Sequence, residues 1–245
     1  LFIEDTVWSD RSDYRKLLLL SDEVYINRRL GEVYGVPDAP WHFTKKKLPG
    51  TQRAGVITHP YLLTAFAYHN NTSPIHRGVF LTRNIAGMPL KAPPEAIEFA
   101  EHDFPADLTM REKVTELTKA KSCMACHSLI NPLGFSLEHF DAMGRFRETD
   151  GKNPINDDSL LVTDAGKRVD IEGPRDVAEF AAYSPTAHRA FIRQLFEHAA
   201  KQPMNAFGMN TDNRLLKHFQ ENQFHIRDLL AEIAILSTEP VIPES

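Results

Sequence analysis

Apolar residues in the first part of the chain recur at intervals of three and four, which is the spacing of a helix. Over residues 12–34, two such runs predict two short helices, with Ser21 and Asp22 as a cap between them. Pro37 ends this segment. Residues 40–50 lack any periodicity and are predicted to form a loop.

The next two helices are marked by proline and glycine. Pro60 suits the first turn of a helix, for which Thr58 or His59 would be the cap. A further helix is predicted over about residues 75–85. It should end at Gly87, because glycine is favoured just beyond helix C-termini.

The middle of the chain combines a proline-rich stretch with a strong helix start. Residues 88–107 are rich in proline and are predicted to cross the surface in an extended form. Thr109 and Glu112 have the spacing of a capping box, and the helix they open leads towards the cysteine-containing segment. Pro132 and Gly134 then predict a turn that folds the chain back.

The last third of the chain changes character twice. Residues 160–163 and 168–171 flank a turn and predict a small β-hairpin. Helices are then predicted to begin at Pro174 and at Pro185, and a last helix covers 226–236. The pattern as a whole predicts a mainly α fold.

Composition narrows the classes of function. With 245 residues, 42% of them apolar, the chain can bury a core for one large or two small domains. The 28 Lys+Arg against 33 Asp+Glu give a net charge of −5, which argues against a nucleic-acid partner. No apolar stretch approaches the roughly 20 residues needed to cross a bilayer, so no membrane span is expected in this chain.

The candidate chemistry lies in one pentapeptide. The chain has two cysteines, Cys123 and Cys126, and His127 follows them directly. This C-x-x-C-H spacing is the attachment signature of a c-type haem. Two thiols add across the two vinyl groups of the porphyrin, and the adjacent imidazole becomes the proximal ligand of the iron. The motif therefore predicts one covalently attached haem c.

Other interpretations of the cysteine pair stay open. It could be a redox dithiol, although such centres usually accompany a βαβ pattern that is missing here. It could be half of a zinc site, although the later histidines are spaced too widely for the usual second half. These are His188, His198, His218 and His225. It could also be a chance pairing.

Several segments resemble a known group of proteins. They are residues 24–35, 53–59, 72–78 and, most specifically, 123–147. In these segments the chain resembles the exported planctomycete-type cytochrome c-like proteins built of successive domains of unknown function, in their C-terminal haem-c-bearing part. The resemblance implies a helical cytochrome c-like haem domain with an N-terminal helical extension and a small β-hairpin insertion.

The resemblance and the motif together give a domain organisation and a location. Residues 1–37 are interpreted as the tail of a preceding helical domain and 38–147 as the haem-c-bearing domain. Residues 148–245 would supply the hairpin and helices that complete it. Haem c is attached after export, so a periplasmic or otherwise extracytoplasmic location is expected, with the chain as the C-terminal part of a longer protein.

Further residues are candidates for contacts with the haem. His59 is the first choice for the sixth iron ligand, with helix capping as its alternative role. The other candidates for that ligand are His188, His198, Met204 and Met209. A backbone carbonyl near Asn131 or Pro132 could accept the second ring N–H of His127. Arg145 could bind a haem propionate or simply be solvated.

These observations favour an electron-transfer module. One haem c would pass electrons between a redox partner protein, or adjacent domains of the full-length chain, and another carrier. The alternative is a haem peroxidase-like or oxidase-like enzyme with an open or displaceable distal position. A module in which haem only stiffens the fold is a third hypothesis. A low-spin, six-coordinate ferric spectrum would favour the first.

Overall fold

The structure is a computed structural model that describes residues 1–91, 104–163 and 165–238. This part of the chain is mainly α, as predicted. Its helices are α1 Phe2–Trp8, α2 Tyr14–Leu19, α3 Arg28–Val33, α4 Pro60–Ala65, α5 Pro74–Phe80, α6 Met110–Thr118, α7 Lys121–Phe135, α8 Pro174–Tyr183, α9 Pro185–Ala200, α10 Thr211–Glu221 and α11 Ile226–Thr238. Its strands form three antiparallel pairs: β1 Glu23–Ile26 with β2 Thr44–Lys47, β3 Thr149–Asp150 with β4 Asn153–Pro154, and β5 Asp158–Val162 with β6 Arg168–Glu172.

The N-terminal region contains a strand pair that the sequence pattern did not predict. Helices α2 and α3 lie within residues 12–34, but β1 separates them and pairs with β2, inside the segment predicted to be a loop. Val24 and Ile26 are buried while their neighbours are partly exposed. A spacing of two is the period of a strand, so the helical pattern predicted for this part of residues 12–34 was wrong.

The helices marked by proline and glycine are confirmed. Helix α4 begins at Pro60 with His59 as its N-cap, and α5 begins at Pro74. A π-helical turn, Leu81–Ile85, extends α5, and Gly87 follows at a φ of 73°. Of the predicted surface crossing, residues 92–103 lie outside the described part of the chain.

The predicted turn at Pro132 and Gly134 is wrong, because both residues lie inside α7. Gly134 serves helix packing instead. A Cβ on Gly134 would lie 2.1 Å from the carbonyl oxygen of Pro74, and one on Gly78 would lie 2.3 Å from that of Ile130. The two glycines let α5 and α7 approach closely in antiparallel directions.

The C-terminal region follows the prediction with one addition. The β5–β6 hairpin is present, and α8, α9 and α11 begin at or beside the predicted positions. Helix α10 lies between α9 and α11 and was not predicted. Its buried face is formed by Thr211, Leu215, Leu216 and Phe219.

One main hydrophobic core connects distant parts of the sequence. It includes Tyr14 and Leu18 of α2, Leu133 of α7, Phe196 of α9 and Leu229 of α11. The hairpin adds Leu161 and Ile171 to the same cluster. No helix within the described ranges combines the length and apolar character needed to cross a membrane.

Candidate functional site

The pentapeptide lies in the first two turns of α7. Cys123 and Cys126 are free thiols one turn apart, and both are partly exposed. His127 follows Cys123 by four positions, so all three side chains share one face of the helix. The helix predicted to start at Thr109 was expected to lead to the motif, whereas the motif lies in a separate helix, α7, that begins at Lys121.

His127 has a fixed hydrogen-bond partner. Its Nδ1 lies 2.9 Å from Oδ1 of Asn131, one turn further along α7. Asn131 Nδ2 donates to Thr118 Oγ1 at 2.9 Å, and the Thr118 hydroxyl donates to the carbonyl of Val114 at 2.8 Å. The acceptor for the histidine is therefore an amide side chain and not the predicted backbone carbonyl near Asn131 or Pro132.

This chain of hydrogen bonds assigns the tautomer of His127. The Thr118 hydroxyl donates to Val114, so its oxygen accepts from Asn131, and the amide oxygen of Asn131 faces the imidazole. That oxygen can only accept, so His127 donates through Nδ1–H. In the neutral ring the lone pair is then on Nε2, the atom that a metal would bind.

These residues fit a haem c. Two unpaired thiols and one imidazole with a free Nε2 lie on a single helical face, in the order that the attachment signature requires. Among the described residues, no group of three or more His, Cys, Asp or Glu side chains could hold a bare metal ion. The described part of the chain thus offers no complete zinc site around the two cysteines.

His59 acts as the N-cap of α4. Its Nδ1 accepts the backbone N–H of Tyr61 at 3.3 Å, and its ring packs 6.2 Å from that of Phe2. Burial lowers the pKa of His59, which favours the neutral ring. A neutral imidazole has one lone pair, so a ring that caps α4 through Nδ1 does not bind iron through Nε2 at the same time.

The other candidates for a distal ligand lie in different settings. His188 is buried among the rings of Tyr14, Phe219 and Phe224, and its Nε2 lies 2.9 Å from the carbonyl of Ala182. Burial also lowers the pKa of His188. The remaining three are surface or half-buried side chains: His198 and Met209 are exposed, and Met204 is partly buried.

Arg145 and Pro132, the other two residues predicted to contact a haem, lie in different environments. Arg145 is exposed and lines a cleft of about 360 Å³ together with Tyr34, Arg53 and Phe146. Pro132 is buried within α7. Their predicted contacts with a haem stay predictions.

Arg77 is a buried arginine that binds the segment following α7. No sequence pattern predicted this role. The Arg77 side chain is 0% exposed, and its guanidinium donates to four backbone carbonyls. The four acceptors are Leu63, Leu137, Phe140 and Asp141. Arg77 thus joins α4 and α5 to the segment that follows the candidate site. The only hint in the sequence was its position within residues 72–78, one of the segments that carry the resemblance.

Glu138 is the buried carboxyl beside this arginine. Thr72 donates to its Oε2 at 3.0 Å, and Arg147 lies 3.5 Å away. Burial raises the pKa of Glu138 to about 7, although Arg77 and Arg147 oppose the shift. Its other oxygen has no hydrogen-bond partner among the described residues.

The fold and site together define a class: a mainly α protein that carries a C-x-x-C-H segment on a helix with its histidine already oriented. Residues 53–150 match the family model PSCyt3, described as a protein of unknown function (DUF1588), a planctomycete-type cytochrome c-associated domain. The matched range includes the motif, Arg77, Asn131 and Glu138. No curated protein and no solved structure matches the chain.

Proposed function

We propose that this chain is a mono-haem c-type cytochrome module that transfers electrons within a larger exported protein. The observation that carries the proposal is the arrangement on α7. Cys123 and Cys126 present free thiols one turn apart, and His127 is held with Nε2 available. A chance pair of cysteines would not require an oriented imidazole beside it.

Three residues of the motif would hold the haem. The thiols of Cys123 and Cys126 would each add across a vinyl double bond: a carbon–sulfur bond would form, and the thiol hydrogen would go to the neighbouring vinyl carbon, with no leaving group. His127 would bind the iron through Nε2. The bound haem supplies one-electron transfer, while the protein sets its orientation and surroundings.

The cellular setting follows from the chemistry of attachment. Haem c is joined to its protein outside the cytoplasm, so the proposal includes a periplasmic or otherwise extracytoplasmic location. The electron donor and acceptor would be a redox partner protein or adjacent domains of the full-length chain. The partly exposed thiols lie where an attachment machinery can reach them.

The proposal is tested by exporting the chain in a host with haem c maturation proteins and recording its spectra. We expect a covalent haem signature after acid extraction, and a low-spin ferric spectrum that cyanide changes only slowly. Protein without covalent haem would contradict the proposal. A high-spin spectrum with rapid cyanide or peroxide binding would instead support the peroxidase-like or oxidase-like alternative.

A further inference from the structure

The hydrogen bonds behind His127 connect two helices. Thr118 is the last residue of α6, and Asn131 lies in the third turn of α7. Both side chains are almost fully buried, at 3% and 8% exposed. We propose that Thr118 and Asn131 form a positioning relay that fixes the tautomer and orientation of His127 and tunes the iron it binds. The tuning of the iron rests on the proposed function, whereas the positioning of His127 does not.

The relay favours one orientation of the Asn131 amide. In the observed orientation three side-chain hydrogen bonds form in sequence, from His127 to Asn131, from Asn131 to Thr118, and from the Thr118 hydroxyl to a backbone carbonyl. If the amide were flipped, the hydroxyl would have to donate to Asn131 and would lose its bond to the backbone. Only two of the three bonds would remain, so the donor form of His127 Nδ1 is preferred.

The relay acts on the iron through the imidazole. A ring that donates a hydrogen bond through Nδ1 is a more basic ligand at Nε2 and favours the ferric state. Removing the acceptor should therefore raise the midpoint potential of the haem. Replacing it with a carboxylate should lower the potential, because a negative acceptor attracts the Nδ1 proton more strongly.

Four variants isolate the relay. Asn131→Leu removes the acceptor, and Asn131→Asp replaces it with a charged one. Thr118→Val keeps the shape of the side chain but frees the amide to flip, so it tests the relay even if the substitutions of Asn131 disturb folding. Thr115→Val is the matched control, because Thr115 lies on the same helix and bonds to its own backbone, at Arg111, on the exposed side.

The first readout is independent of haem. Nitrogen NMR of the full chain without haem should find the Nδ1–H tautomer of His127 in the wild type and in Thr115→Val. The Nε2–H tautomer should appear in Asn131→Leu and in Thr118→Val. If both of these variants retain the wild-type tautomer, the relay does not fix the histidine and the proposal is overturned.

The second readout is the midpoint potential of the haem-loaded protein. We expect it to rise most in Asn131→Leu, to rise less in Thr118→Val, to fall in Asn131→Asp, and to stay unchanged in Thr115→Val. The rise in Thr118→Val is smaller because iron bound at Nε2 keeps the proton on Nδ1, so the amide oxygen of Asn131 still faces the ring and is only less firmly held. Potentials indistinguishable from the control in all three relay variants would overturn the tuning role. If no variant and no wild-type protein attaches haem, the proposed function fails, while the tautomer measurement still decides whether the relay exists.

Discussion

At the scale of single residues, the histidines differ in how each uses its one lone pair. His127 donates through Nδ1 and keeps Nε2 free, whereas His59 accepts through Nδ1 to cap a helix. His188 is bonded to a backbone carbonyl within an aromatic cluster. The sequence named all three as candidates, but only the hydrogen-bond partners separate their roles.

The capping role of His59 is testable by substitution. His59→Ala should lower the free energy of unfolding by about 1 kcal/mol, because it leaves a backbone donor of the first turn without a partner. His59→Asn should restore most of this, since asparagine is a good N-cap. Urea denaturation measures both effects. Neither variant should change the ferric spectrum of the haem-loaded protein; a loss of the low-spin bands in both would make His59 an iron ligand.

The buried carboxyl of Glu138 predicts a pH dependence of stability. Its pKa is about 7 in the folded protein, against 4.5 ordinarily. Between these values the unfolded chain releases the proton first, so the free energy of unfolding should fall as the pH rises from about 4.5 to 7. The fall attributable to this group has an upper bound of about 3 kcal/mol.

The variant Glu138→Gln isolates this effect, because glutamine has nearly the same shape and does not titrate. Denaturation curves across this pH range should be flatter for Glu138→Gln than for the wild type. Glu148→Gln, which removes an exposed carboxylate of the same segment, is the control and should keep the wild-type slope. Equal slopes in all three proteins would contradict the elevated pKa of Glu138.

At the scale of elements, the starts of helices were predicted well and their packing was not. Pro60, Pro174 and Pro185 each mark a helix start, because proline in the first turn gives up no backbone hydrogen bond. Pro132 and Gly134 are residue types that also favour a helix boundary, but both lie inside α7. There the close contact with α5 outweighs the local preference for a turn, and no local pattern reveals that contact.

The crossing of α5 and α7 predicts a large effect at Gly78. A Cβ there would lie 2.3 Å from a backbone oxygen that cannot rotate away, so the helices would have to separate. We expect Gly78→Ala to lower the free energy of unfolding by about 3 kcal/mol. Thermal and urea denaturation measure the loss.

The control for this prediction is Gly151→Ala. Gly151 also lacks a side chain, but a Cβ there would meet nothing within 4 Å. Its φ of 61° should limit the loss to about 1–2 kcal/mol, which is the cost of the left-handed conformation alone. A Gly78→Ala protein as stable as the wild type would mean that α5 and α7 do not approach as closely as described.

At the scale of the whole molecule, features formed by contiguous residues could be predicted from the sequence, whereas contacts between distant segments could not. The pentapeptide is a contiguous motif, so the candidate site could be located from the sequence alone. The relay partner Thr118 could not be found that way, because it lies on another helix and meets Asn131 only after the chain turns between α6 and α7. The same holds for Arg77, whose acceptors come from both sides of it in the sequence.

The most direct test of the central claim is the intact mass of the chain after export in the presence of haem c maturation proteins. We predict an increase equal to one haem, which denaturation does not remove. Loss of both thiols in Cys123→Ser/Cys126→Ser should abolish the increase, while His127→Ala should lower the yield and alter the spectrum. A wild-type mass equal to that of the bare polypeptide would contradict the account.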